Sequence, residues 1–402
     1  MAEPDPIGVP FGEADPALAA APQGAYRALR DEAPVMRSDA GVVVSRHEDV
    51  MFALRNPDVF SSNMDAIDIG NVRPLIPLQI DPPDHVKYRR LLDPLFAPRA
   101  VARLEPEVRR LVNELIDEFV EGGEVELNSA FAIPLPCTVF LRLLGLPYDD
   151  LALFLRFKDD IIRPGFEDDV EQAKRVQRET GQEIYAYFER VIEARRAEPR
   201  DDLITRFLEA EIDGHRLSDH DILDICYLFL LAGLDTVTAS LGCAVSYLAQ
   251  HPDRRDALVA DPTLVPGAVE ELLRWETPVP GVPRIATRDV EVAGETIRAG
   301  EHVMCLIGAA DLDPEEFPDP DEIDFARPGN RHLAFGGGLH RCLGSHLARL
   351  EMRVALEELH RRIPDYVLAE GETPRYTMGI RAVEYLPLTF TPGERGTPGA
   401  RG

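Results

Sequence analysis

Between Ser218 and Gln250 the chain is so apolar that it reads as one long helix at the centre of the molecule. Ser218 is placed to cap its N-terminus. The longest apolar run inside it, Ile225 to Leu234, stops at Asp235, well short of the roughly 20 residues that cross a bilayer. Such a helix needs other elements around it, and the sequence supplies them. Leu104, Val108, Leu111, Val112, Leu115, Ile116 and Phe119 recur at helical spacing, so 102–121 is expected to be a helix. Amphipathic stretches cover about 168–196, 264–276 and 342–362, and Asp15-Pro16 open a further helix running to Arg30. Strand signals are short: Val42–Val44, Val290–Ile297 with a turn at Gly294, and Leu386–Thr391. The proline-rich 313–328 can be neither regular helix nor central strand. The fold class is therefore mainly α with minor β sheets, one large helical domain over 13–391 with a small β-rich part. The ends, 1–12 and 392–402, read as loose.

A hydrophobic fraction of 45% supports a sizeable core, and a net charge of −28 disfavours nucleic acid or an anionic membrane surface as partner. The start, MAEPDPIGVPFGEADP, has neither the basic residues nor the apolar run of a signal peptide, so a cytoplasmic protein without a membrane anchor is expected. Cysteines stand at 137, 226, 243, 305 and 342 with no C-x-x-C pair, which fits reduced thiols and excludes a zinc ribbon.

Only Cys342 has unusual company. Residues 335–344 read Phe-Gly-Gly-Gly-Leu-His-Arg-Cys-Leu-Gly, a glycine-loosened loop delivering one thiol to a helix expected to begin near Cys342. Backbone N–H groups and the helix dipole there favour the thiolate. The glycines let the backbone approach something flat. One thiolate cannot hold zinc or an iron–sulfur cluster, but it suffices for haem, whose porphyrin supplies four donors.

The pattern F-x-x-G-x-x-x-C-x-G, filled by Phe335, Gly338, Cys342 and Gly344, resembles the haem-binding loop of the cytochrome P450 monooxygenases. Three further motifs stand in that family's order. Ala232-Gly233-Leu234-Asp235-Thr236 lies mid-way along the apolar helix, where a buried acid and alcohol are costly unless used. Gly233 lets the helix open locally and Thr236 can bond back to a carbonyl one turn earlier. The resemblance implies that Thr236 acts at the oxygen-binding position and that Asp235 feeds it protons through water. Glu271 and Arg274 sit three apart on one helical face, and with Arg327 they match the family's structural E-x-x-R network. His85 and Arg89, one turn apart, would serve one haem propionate, and Arg284 and His340 the other. Phe335, Gly336, Gly344, Ala232 and Gly233 would complete the cofactor contacts, with heme b held between the central and cysteine-bearing helices. One departure is Asp311-Leu312, where many members have Asn-Arg.

The implied reaction is hydroxylation of a hydrophobic small molecule (fatty acid, terpenoid or sterol-like) with O2. No flavin or nicotinamide fingerprint is present, so electrons would come from a separate ferredoxin with its NAD(P)H-dependent reductase. Segments 85–110 and 327–353 each carry a net charge of +4, a candidate docking patch in a chain expected to be a monomer. Ile69, Val72, Leu75, Leu228, Leu231, Val279, Val282 and Ile380 are the candidate substrate lining, joined by Ile67 and Met378; Arg73 and Arg381 are possible carboxylate anchors. A peroxide-driven oxidase and a non-catalytic haem-thiolate sensor are the competing readings, and retention of Asp235-Thr236 counts against both.

Overall fold

The computed structural model describes residues 16–38, 41–63, 70–165, 169–377 and 379–396. Contacts gather the described residues into two compact units: those within 16–61, 96–135 and 236–396 form the first, those within 62–95 and 136–235 the second.

The first unit holds a five-stranded sheet, in spatial order Val35–Ser38, Gly41–Val44, His302–Cys305, Val282–Ala286 and Phe60–Ser61. Val303 and Cys305 register with Val42 and Val44, and these four sit in one buried cluster with Val50, Leu54 and Phe60. The strand signal at Val290–Ile297 becomes a hairpin whose turn residues Ala293 and Gly294 both have positive φ, 48° and 84°. Helices His47–Arg55, Glu105–Asp117, Val265–Glu276 and Ser345–Arg362 belong to this unit. The late strand, Pro387–Thr389, pairs with Glu124–Glu126. The segment 313–328 contains neither helix nor strand. Past Pro392 the described chain is tied down rather than loose: Gly393 N–H bonds to Val120 O, Gly396 N–H to an Asp117 carboxylate oxygen, and Arg395 pairs with Glu121.

The second unit is built on aromatic packing. Phe154 is fully buried on helix Leu151–Ile162 and meets the rings of Phe140, Phe157, Tyr187 and Phe188 at 5.1–6.0 Å. Tyr187 and Phe188 lie on helix Val170–Ala197, which Asp169 caps by accepting the Gln172 N–H.

Helix Asp219–Gln250 is continuous, and the unit boundary falls between its Asp235 and Thr236. Ser218 caps it reciprocally: its hydroxyl accepts the Asp221 N–H while the Asp221 carboxylate accepts the Ser218 N–H. By length and apolarity it would pass for a membrane span, but 72% of its most apolar window is buried inside the protein. Two boundaries differ from expectation. The first helix splits into Pro16–Ala20 and Gln23–Glu32, interrupted at Pro22, which has no N–H to continue the ladder. The first turn of 102–121 is a 3-10 turn, Ala102–Leu104.

Candidate active site

Glycines shape the cysteine loop, but not all for the same reason. Gly336 and Gly338 have φ of 66° and 64°. A Cβ on Gly338 would lie 2.0 Å from the Leu54 carbonyl oxygen, and one on Gly337 would lie 2.9 Å from Met51 Sδ. These two glycines therefore let the loop press onto helix His47–Arg55, a packing reason the sequence reading did not foresee. At Gly336 and Gly344, by contrast, an added Cβ would meet nothing within 4 Å. The loop is closed by Gly336 N–H to Leu333 O (2.6 Å) and Cys342 N–H to Phe335 O (2.8 Å). The following helix starts at Ser345 with Gly344 as N-cap, so Cys342 precedes it instead of opening it, because the chain first makes a 3-10 turn at Gly338–His340. Cys342 is the one exposed cysteine; the other four are buried. Burial pushes the thiols of Cys226 and Cys243 far up and that of Cys305 up to about 11, which leaves them inert.

Upstream of the loop the structure brings Glu271, Arg274 and Arg327 together. Arg274 is fully buried and bonds the Glu271 carboxylate through Nε (3.0 Å) and Nη2 (2.8 Å), and Arg327 Nε reaches it at 3.0 Å. Nothing local in the sequence marks the rest of this assembly. Asn330 Nδ2 and Asp324 N–H also donate to Glu271, and Arg274 donates to the carbonyls of Asp311, Pro320 and Glu322. Burial acts to raise the Glu271 carboxyl, but the hydrogen bonds from Arg274 lead the effects that bring it below its usual value. Asp311, noted only as a departure, is fully buried and accepts from Leu333 N–H and Thr277 Oγ1. In the same unit Arg284 is buried with Nη1 on the Pro283 carbonyl, and His340 is half-buried. Val279, Val282 and Ile380 are half-buried. Arg381 is no carboxylate anchor: it is buried, paired with Glu276 at 2.7 Å, and bonded to the Ala19 and Ala20 carbonyls.

In the second unit Asp235 is buried and clasped by Lys158 Nζ (3.3 Å) and Arg163 Nη2 (3.0 Å), partners that nothing local in the sequence reveals. Gly233 packs tightly, since its Cβ would meet Phe140 Cδ2 at 3.1 Å, and the helix stays closed there. Thr236 is half-buried, and its carbonyl accepts the Ser240 hydroxyl. Leu228 and Leu231 are half-buried and Ala232 is exposed, an i, i+3, i+4 stripe of open apolar surface on a mostly buried helix. His85 is buried, and burial followed by the Arg89 charge lowers its pKa. Arg89 pairs with Asp93 at 2.7 Å. Leu75 is fully buried and belongs to the core rather than to a lining, while Val72 is 64% exposed. Arg73 makes a two-pronged pair with Asp224 and is likewise spent internally. Ile67, Ile69 and Met378 lie outside the described residues.

A thiolate-bound haem asks for one accessible sulfur and backbone that leaves room for a flat macrocycle. Cys342 meets the first demand, and the open space at Gly336 and Gly344 on either side of it meets the second. The residues present fit the group.

Residues 148–362 match the family model described as Cytochrome P450. The chain is 36% identical over 377 residues to a steroid C26-monooxygenase of Mycolicibacterium smegmatis, 92% of each being covered. It is 36% identical over 405 residues to the mycinamicin IV hydroxylase/epoxidase of Micromonospora griseorubida, covering 97% of this chain and all of that one. Among solved structures, a Bacillus megaterium enzyme, CYP109E1, in complex with testosterone superposes with a TM-score of 0.88 at 29% identity, over 94% of this chain and 100% of that one. P450BioI in complex with an acyl carrier protein bearing hexadec-9Z-enoic acid superposes with 0.86 at 31% identity, over 93% and 100%.

Proposed function

This chain belongs to the cytochrome P450 family, and from that premise we propose that Cys342 is the thiolate that holds its haem b in a monooxygenase acting on a hydrophobic small molecule. The observation that carries the assignment is the single exposed cysteine beside open glycine backbone. When bound, the haem supplies the redox chemistry by which O2 is activated, and the protein's residues bind, orient and move protons.

On this reading Arg284, Arg89, His85 and His340 meet the propionates. Arg89 then exchanges or shares its exposed partner Asp93. Thr236 would offer its hydroxyl to bound oxygen, and Asp235 would pass protons toward it. Asp235 works under restraint from two cations. Lys158 is 6% exposed and Arg163 32%, so Arg163 is the one that can swing to solvent and release a carboxylate oxygen for proton exchange. The apolar surface of Leu228, Leu231 and Ala232 supports a substrate of sterol, terpenoid or lipid kind, in line with a relative named for a steroid. With Arg73 and Arg381 already paired, neither selects a substrate carboxylate. We place the enzyme in the cytoplasm, supplied with electrons by a ferredoxin and its reductase.

The test is the absorption spectrum of reduced, carbon-monoxide-bound holoprotein beside Cys342→Ala. Wild type is expected to show the red-shifted thiolate band and the variant to lack it. A wild-type sample without that band sinks the ligand assignment. Titrating the same sample with sterols and fatty acids should perturb the haem spectrum; insensitivity to every apolar ligand would count against the substrate class.

A further inference from the structure

The backbone leading into the cysteine loop is held by side chains, and two adjacent glutamates share that task with Asp311, which accepts the Leu333 N–H. Glu271 and its arginines hold the chain as far as Asn330. From His332 onward Glu270 takes over. His332 has a side chain only 2% exposed; its Nδ1 accepts the Ala334 N–H at 3.2 Å and its Nε2 lies 3.1 Å from Glu270 Oε2. Because Nδ1 is occupied as an acceptor, the ring proton sits on Nε2 and is donated to the carboxylate. Glu270 also takes both Nε (2.6 Å) and Nη2 (2.7 Å) of Arg349, a bidentate pair. The Arg349 guanidinium then lies over the Phe335 ring, 4.3 Å from its centroid. Phe335, finally, receives the Cys342 N–H on its carbonyl oxygen. Burial works to raise the Glu270 carboxyl, but the bonds from His332 and Arg349 bring it down to about 2, so it stays charged while it holds both.

We propose that Glu270, His332 and Arg349 are positioning residues for the Cys342 thiolate. His332 fixes Ala334, Arg349 fixes Phe335, and the Phe335 carbonyl fixes the cysteine amide, so the sulfur is aimed through the backbone from one carboxylate. The proposal rests on Cys342 being the haem ligand. Its consequence is electronic as well as mechanical: the placement of a ligating sulfur and of the N–H groups around it tunes the metal it binds.

Two replacements of His332 separate the arms. His332→Gln keeps a donor toward Glu270 and removes the acceptor for Ala334 N–H; His332→Asn does the reverse. With helical content checked by circular dichroism, His332→Gln is expected to convert part of the carbon-monoxide complex from the thiolate to the thiol type. Haem affinity should fall about tenfold with it. His332→Asn should recover much of the thiolate band. Glu270→Gln, which keeps its shape and weakens both arms, should resemble His332→Gln and decides the matter if the latter does not fold. A wild-type sample without the thiolate band sinks the ligand assignment and this proposal with it. A wild-type band, with the thiolate fraction and haem affinity unchanged in the Gln variants, overturns this proposal alone.

Discussion

Glu351, on helix Ser345–Arg362, is 2% exposed and its Oε2 has no hydrogen-bond partner among the described residues. Burial pushes its carboxyl from 4.5 up to about 8. Between those values the folded protein keeps a proton that the unfolded chain releases, so stability falls as pH rises through the window. Glu351→Gln should flatten the fall between about pH 5 and pH 8 and stabilise the protein at the upper end by about 2 kcal/mol or more. Urea midpoints measured across that range check it; parallel curves for wild type and variant would remove Glu351 as the source. In the sequence this residue reads as ordinary helix-surface charge between Leu350 and Met352. Glu271 differs in that arginines from 274 and 327, with Asn330 and the Asp324 N–H, meet it. A buried carboxylate so paired is held ionised, whereas an unmet one is held neutral.

Within elements, local pattern carried far. The spacing of apolar residues located the long helix, the Ser218 cap and the hairpin at Gly294, because each depends on neighbours a few residues away. The glycines of the cysteine loop were legible as a loop but not in their separate reasons. Gly338 and Gly336 share a positive φ, yet only Gly338 is pressed against another element. This contrast is measurable. Alanine at either position should cost about 1–2 kcal/mol for the left-handed backbone. Gly338→Ala should cost clearly more, since its Cβ must displace the Leu54 carbonyl. Thermal unfolding of both variants checks this, and equal losses would mean that the loop moves away from helix His47–Arg55 freely.

At the scale of the whole molecule the charge count was the least reliable guide. Of the basic residues counted toward a docking patch, Lys87, Arg89, Arg109, Arg110, Arg327, Arg331, Arg349 and Arg353 are all in ion pairs with acids. Arg99 and Arg103 are exposed and without an ion pair among the described residues. Their neighbours Pro98, Val101 and Ala102 line a surface groove of about 250 Å³ together with the paired charges of Glu105, Glu270, Arg349 and Arg353. A ferredoxin attracted to this face should reduce the haem of Arg103→Glu several-fold more slowly at low salt, the difference closing as ionic strength rises. Stopped-flow reduction across a salt series checks it, and rates indifferent to both the variant and salt would discard the patch.

The sequence by itself determined the main helices and the short strands and marked the glycine loop that carries Cys342, because helical period, caps and glycine turns are written within a few consecutive residues. It also placed the acid–alcohol pair and the E-x-x-R motif in order. Which charges are free was decided only by tertiary structure. Partners such as Arg381 and Ala19, Asp235 and Lys158, or Glu270 and His332 meet from far apart in sequence. A burial penalty and the distant group that offsets it have no common local signature, and that is why the thiol was legible while the residues that aim it were not.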